Sequence, residues 1–377
     1  MVTWQQFELE EWQSTYEQTV AFNLSDSTID PVPTRLLVPG DAELTELLDT
    51  ELYYPEVNGE RALRERIAAL YPATGADDVL VTVGASEANA AIVDALCPSG
   101  RRVHVMEPGY RQVWGLARNK GCDVVGYPLR PEDGWRPDLD ALEASVDETS
   151  ELIYVCNPNN PAGYVLTEAE MDRIVSIAEA AGCWLVADEV YVGSEHDGRR
   201  TPTFVGRYDK VIGVNSMSKS YGLSGLRIGW VVASPEVIVA LWRRHEYATI
   251  ATGRLDNLLA RLALTPPITE TVLDRNRTAM NDGWAIFEKW FAGLDGLVQV
   301  HRPPATPLAF LRVATSLGSV AIGERIREEA SVLGCPGVFF GCEGYLRINV
   351  GFGVEYVADA LAAMEPVVRT MCAEHPA

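Results

Sequence analysis

From about residue 60 the chain alternates two hydrophobic rhythms. Leu63, Ile67 and Leu70 recur at helical spacing, as do Met171, Ile174, Val175 and Ala178 on an otherwise polar stretch. Each set predicts a helix with one buried face. Between such segments lie short β-rich runs that end in turn signals: residues 79–83 before Gly84, 103–105 before Pro108-Gly109, 152–155 before Asn157-Pro158, 185–187 before Asp188, and 211–214 before Ser216. Runs apolar on both sides, alternating with helices, predict an α/β fold with a mostly parallel sheet buried between helical layers. In such sheets the turns after the strands' carboxyl ends converge on one crevice, which is where chemistry is to be sought.

Past residue 235 the strand signal fades, and Pro266-Pro267 interrupts a helical stretch before a second helical pattern over Arg275–Phe291. A chain of 377 residues also exceeds one ordinary compact core. The expected division is a large ligand-binding domain over 46–270 and a smaller α+β domain over 271–377. Residues 1–45, which lack the βα rhythm, are expected to join the smaller domain.

Composition narrows the function classes. Lys and Arg total 31 against 53 Asp and Glu, a formal net charge of −22, so the surface repels phosphate backbones and anionic membranes. No apolar run approaches the length of a membrane span, and the acidic N-terminus lacks the form of a signal peptide. The seven cysteines are scattered, with no C-x-x-C pair, and read as reduced thiols of a cytoplasmic protein. With no H-E-x-x-H and no G-x-S-x-G, zinc hydrolysis and esterase chemistry lose their usual signatures, and no metal site is expected.

Four segments carry candidate chemistry. S-M-S-K-S-Y-G-L-S-G-L-R-I-G-W (216–230) sets Lys219 after a strand among small hydroxyl and glycine residues, with Arg227 eight positions on. A desolvated lysine there becomes a nucleophilic amine and the arginine a phosphate partner; a solvated loop lysine is the plain alternative. D-E-V-Y (188–191) puts Asp188 at a strand end, either as a helix cap or as the partner of a pyridine nitrogen. N-P-N-N-P-A-G (157–163) forms a rigid turn that can hold the Asn160 amide against a ligand. Gly84-Ala85-Ser86 opens a helix, as a simple N-cap or as a phosphate site. Glu87 would sit beside that phosphate, which is unfavourable unless its side chain turns away.

Taken in order with Pro108-Gly109-Tyr110 and Y-L-R-I-N-V-G (345–351), these segments resemble the pyridoxal-phosphate enzymes of fold type I, in the class I/II aminotransferase family. The ordered set covers residues 84 to 351. The resemblance implies pyridoxal 5'-phosphate joined to Lys219 as a Schiff base, with the same lysine shuttling the substrate's α-proton. Asp188 would pair with the pyridine nitrogen, and Tyr191 and Asn160 with the ring hydroxyl. Ala85, Ser86, Ser216 and Arg227 would hold the phosphate, Tyr110 would stack on the ring, and Arg347 would grip the substrate's α-carboxylate. Tyr54, five residues before Gly59, matches the family's tyrosine that reaches the other subunit's phosphate, which implies a homodimer with composite active sites.

The family shares loss of the α-proton from an external aldimine, to a quinonoid carbanion, and its members differ in the fate of that carbanion. Transamination of an α-amino acid is the leading expectation. The alternative is β- or γ-elimination, replacement or cyclisation in specialised metabolite biosynthesis such as that of an antibiotic, including use of S-adenosylmethionine as a substrate with a γ-leaving group. Two departures from the family pattern bear on this. The N-terminal loop, N-L-S-D-S-T-I-D-P (23–31), replaces a Gly-x-Pro element with hydroxyls and acids. Ser27 there is expected at the substrate, and Asp26 and Asp30 are either exposed loop acids or contacts for a cationic substrate group. Gly253-Arg254 stands where relatives carry Ser-Pro, and Arg254 is either a solvent-facing helix residue or a contact for substrate or phosphate. Within the family the run 216–230, Gly182–Leu185, the E-Y-A-T segment from Glu246 and the Ser-rich loop resemble the capreomycidine synthases, which close a ring on a hydroxylated arginine. A ligand-sensing domain of a transcription regulator is the reading from another class. Such regulators carry a basic helix-turn-helix domain ahead of the fold, whereas only about 45 acidic-to-neutral residues stand there in this chain.

Overall fold

A computed structural model describes residues 4–377, so residues 1–3 of the N-terminal segment lie outside it. Eight strands form one sheet in the order Val79–Val83, Ile228–Val232, Val211–Ser216, Trp184–Asp188, Ser150–Cys156, Arg102–Glu107, Asp123–Arg130 and Arg136–Pro137. The five strands from Val211–Ser216 to Asp123–Arg130 pair in parallel, and the edges are antiparallel. All five apolar runs read from the sequence are strands of this sheet.

Both faces are buried, which explains why those runs are apolar throughout. Leu152 and Tyr154 pack with Ile92 of the helix Gly84–Leu96 on one face, and Ile153 and Val155 with Met171 and Ile174 of the helix Glu168–Ala181 on the other. The second of these helices starts where sequence chemistry says it must. Thr167 accepts from the Glu170 amide at 3.3 Å, and Glu170 accepts from the Thr167 amide at 2.8 Å, a reciprocal cap. The helix Arg61–Ala68 buries Leu63 and Ile67, but it ends before Leu70, whose amide closes a turn onto Ile67.

The faded strand signal beyond residue 235 concealed four short strands. Val298–Val300, Leu308–Val313, Tyr345–Asn349 and Cys335–Pro336 form an antiparallel sheet. Trp284 and Phe287 of the helix Ile268–Ala292, and Met364 and Val368 of Val354–Glu374, pack on it in a separate core. The first part of the N-terminal segment is tied to this part of the chain: Phe22–Asn23 pairs in parallel with Val332–Leu333, and Trp12 Nε1 donates to the Gly334 carbonyl at 3.0 Å. Val32 and Leu37 pack instead with Leu63, Val79 and Trp230 in the core under the large sheet. No helix among the described residues is long and apolar enough to cross a membrane.

Candidate active site

Parallel pairing aligns the strand ends and so sets the site. Cys156 lies opposite Asp188 and Asp188 opposite Val214, so the turns after these strands leave the sheet at one edge. Beside them is a cavity of about 360 Å³. Its lining includes Ala85, Ser86, Tyr110, Asn160, Asp188 and Tyr191, and equally Ser216, Lys219, Arg227, Arg347 and Ser27. Two sequence candidates lie elsewhere. Arg254, the first residue of the helix Arg254–Ala263, is ion-paired with Glu60 at 2.8 Å, and Tyr54 is 71% exposed.

Lys219 Nζ donates to Ser27 Oγ at 2.7 Å. Burial pushes this amine below the ordinary lysine range; the Asp26 carboxylate opposes that shift and Arg347 adds to it. Asp188 is buried, which pushes its carboxyl up, against hydrogen bonds from Tyr154 Oη at 2.6 Å, the Val190 amide at 3.3 Å and Asn89 Nδ2 at 3.5 Å. Burial likewise raises the Tyr191 phenol, with the Arg347 charge opposing.

Arg347 comes from the other sheet, on the strand Tyr345–Asn349, and is 1% exposed. Its Nη1 donates to Asn160 Oδ1 at 3.0 Å, Nη2 donates to the Ser25 carbonyl, and its guanidinium lies 4.9 Å from the Phe340 ring centroid. Nε has no hydrogen-bond partner, and neither has Asn89 Oδ1. Buried polar atoms left so are uncommon unless a ligand or water completes them.

Around Gly84 the backbone, the Arg227 guanidinium and Gly229 approach one another closely, which only glycines allow. Gly84 has φ +73°, and a Cβ there would lie 2.6 Å from Arg227 Nη2. A Cβ on Gly229, in the neighbouring strand, would lie 2.4 Å from the Gly84 carbonyl carbon. Arg227 itself adopts a left-handed φ of 51°, strain of the kind kept at binding sites, with Nη1 3.5 Å from Ser218 Oγ and 3.0 Å from the Ser224 carbonyl. Glu87 is turned away from this turn. It accepts from the Val83 amide at 2.6 Å and from Thr249 Oγ1 at 2.6 Å, and pairs with His245 Nδ1 at 2.9 Å. Burial would raise its carboxyl, but these bonds outweigh that and hold it below the usual range.

A helix N-terminus with an adjacent guanidinium and serine hydroxyls suits a phosphate. A buried carboxylate, a desolvated lysine and a tyrosine at the same cavity suit a pyridine aldehyde. The residues present therefore fit pyridoxal phosphate, and the unpartnered Arg347 Nε suits a carboxylate brought by a substrate.

The N-terminal loop divides its acids. Asp26 lines the cavity, whereas Asp30 is paired with Arg275 at 2.6 Å. Thr28 Oγ1 donates to the Ser218 carbonyl at 2.6 Å and Asn349 Nδ2 to the Thr28 carbonyl at 2.5 Å, so the loop spans both sheets. Sequence reasoning missed Asn89 and Tyr154, which hold Asp188. It also missed Glu10, Gln13, Ser14 and Glu17 of the helix Glu8–Tyr16 and its cap, which close the outer side of the cavity. Their spacing of three and four puts them on one helical face but does not distinguish it from an ordinary solvated one.

Known proteins share the sequence pattern and the fold. The family model for aminotransferase class I and II matches residues 41–364. The chain is 29% identical to capreomycidine synthase of Streptomyces vinaceus, over 88% of this chain and 84% of that one. It is 28% identical to arginine–pyruvate transaminase AruH of Pseudomonas aeruginosa, over 85% and 83%. A crystal structure of a PLP-dependent aminotransferase from Streptococcus suis superposes with a TM-score of 0.90 at 29% identity, covering 97% of this chain and 98% of that one. The chain belongs to the aminotransferase class I and II family and is a pyridoxal-phosphate-dependent enzyme.

Proposed function

We propose that this enzyme is a homodimeric aminotransferase for an α-amino acid, with Lys219 as its proton carrier. The observation that carries the reading is one cavity lined by a desolvated amine, a buried carboxylate and a buried arginine with an unpartnered Nε. Ser86, Ser216 and Arg227 would hold the cofactor's phosphate, Tyr110 its ring, Asp188 its pyridine nitrogen, and Asn160 and Tyr191 its hydroxyl. When bound, pyridoxal phosphate supplies an electron sink for the pair released as the Cα–H bond breaks.

The chain's own groups do the rest. Arg347, pinned by Asn160 and the Ser25 carbonyl, fixes the substrate carboxylate and so the direction of the Cα–H bond. Burial favours the neutral Lys219 amine, the form that accepts the Cα proton, and Ser27 Oγ holds Nζ in place. The loop 24–28 and the N-terminal helix cover the cavity against water. We take residues 46–270 as the large domain, whose core Val32 and Leu37 join, and 271–377 with the segment around residues 12–23 as the small one.

The dimer accounts for what one chain leaves exposed. Leu48, Leu52, Tyr53 and Tyr54 are 71–78% exposed within one short stretch, an apolar surface that a second copy would cover. Tyr54 would then reach the partner's phosphate site. Seven unpaired thiols fit a reducing cytoplasm.

One observation favours a second reading, elimination with replacement or cyclisation in specialised metabolism, as in capreomycidine synthase. Expulsion of a hydroxyl from the substrate side chain needs a proton at that group, and Ser27 Oγ beside Lys219 Nζ is placed to pass one. The loaded enzyme, mixed with amino acids and no keto-acid acceptor, separates the two. One equivalent of keto acid per site followed by arrest marks transamination, whereas continued turnover with loss of a leaving group marks the second reading.

A further inference from the structure

The cavity has two unlike walls. The sheet-side wall supplies Lys219, Arg227 and Arg347, the cavity's three cations, which the cofactor and the α-carboxylate engage under the reading above, on which this inference rests. The outer wall, from the helix Glu8–Tyr16 and the loop after it, supplies Glu10, Glu17 and Asp26, with Gln13 and Ser14 between them, and no cation.

Among the described residues none of these three carboxylates is in a direct ion pair, although the charges of Asp26 and Glu10 reach the Lys219 amine. Glu10 Oε1 accepts from the Tyr110 hydroxyl at 2.7 Å and Asp26 Oδ1 from the Ser27 amide at 2.8 Å. Asp30, four residues beyond Asp26, is by contrast matched by Arg275 at 2.6 Å. An acidic wall alone would be a solvated surface. Here the same cavity also holds Arg347, buried, with Nε unpartnered. A ligand that satisfies both features carries a carboxylate at one end and a positive charge at the other.

We propose that Glu10, Glu17 and Asp26 form a subsite for a positively charged substrate side chain, and that a guanidinium suits it best. Several carboxylate oxygens with the neutral acceptors of Gln13 and Ser14 match the five-donor planar fork of a guanidinium more fully than an ammonium. The same wall repels an acidic side chain, so aspartate and glutamate are excluded as efficient substrates.

L-Citrulline, which replaces the guanidinium of L-arginine with a neutral urea of the same shape, provides the test. The cofactor absorbance of the loaded enzyme is titrated with arginine, lysine, citrulline and glutamate at low and high salt. Arginine should bind about tenfold or more tighter than citrulline, lysine should fall between, and the advantage should shrink with salt. Glu10→Gln, Glu17→Gln and Asp26→Asn should each narrow the arginine-to-citrulline ratio, with thermal melts confirming folded protein. Equal binding of arginine and citrulline by the unaltered enzyme, or a triple variant that keeps the ratio, overturns the subsite. If citrulline binds well and Arg347→Gln abolishes it, the α-amino-acid reading stands while the subsite falls. If no amino acid perturbs the absorbance, both are overturned.

Discussion

The two ends of the large sheet treat their polar groups differently. At the amino ends, Arg102 meets Asp123 at 2.9 Å and Asp147 at 2.6 Å, and Arg101 meets Glu151 at 2.8 Å. His104, fully buried, sits between Ser150 Oγ at 2.8 Å and Ser145 Oγ at 3.1 Å. Each nitrogen of that imidazole has a partner. At the carboxyl ends Asn89 Oδ1 has none, and the same is true of Arg347 Nε, while the Lys219 amine is held partly stripped of its water. Leaving such a group unmatched costs about 1–3 kcal/mol. Other unpartnered atoms, such as Trp242 Nε1 and Trp290 Nε1, lie singly elsewhere, whereas Asn89 Oδ1 and Arg347 Nε converge on one cavity. His104 is also strongly shifted, pushed down to about 4 by burial with the Arg102 charge adding. A shifted titration therefore does not mark a site; unsatisfied groups converging on a cavity do.

Substitutions at the two ends break or sharpen this contrast. Lys219→Ala should cost the most, lowering the turnover rate by about a thousandfold or more. Its melting temperature should hold or rise, because a charge no longer has to be desolvated. Arg347→Gln comes next, with a roughly ten- to hundredfold loss in kcat/KM for every substrate bearing an α-carboxylate. Steady-state kinetics and thermal melts check both.

At the amino ends the readout is stability. His104 stays neutral in the folded chain down to about pH 4, whereas the unfolded chain takes up the proton near its ordinary 6.5. The unfolded state binds more protons between these values, so stability present above pH 6.5 is lost as pH falls toward 4, by about 3 kcal/mol. Denaturant titrations across that window should show the slope, and His104→Gln should flatten it without changing turnover at pH 8. Arg102→Ala should do least, under about 1 kcal/mol, since its partners Asp123 and Asp147 are well exposed.

Much of this site was legible in the chain, for a physical reason. Lys219, Asp188 and Asn160 sit in turns that end apolar strands, and only four lysines occur in 377 residues. Arg347 was legible from its glycine-rich surroundings, although the strand that carries it was not read as one. The outer wall was illegible because Glu10 and Glu17 share a helical face with Gln13 and Ser14, the pattern of an ordinary solvated helix. Asp26 and Asp30 looked alike until Arg275, some 245 residues away, took one of them. Glu60 does the same to Arg254. Pairings across such separations leave no local trace.

Borohydride reduction of the cofactor-loaded enzyme, followed by peptide mapping, tests the central claim most directly. Cofactor fixed on Lys219 alone is the expected result. Cofactor fixed instead on Lys120, Lys210 or Lys289, the other lysines of the chain, would contradict it.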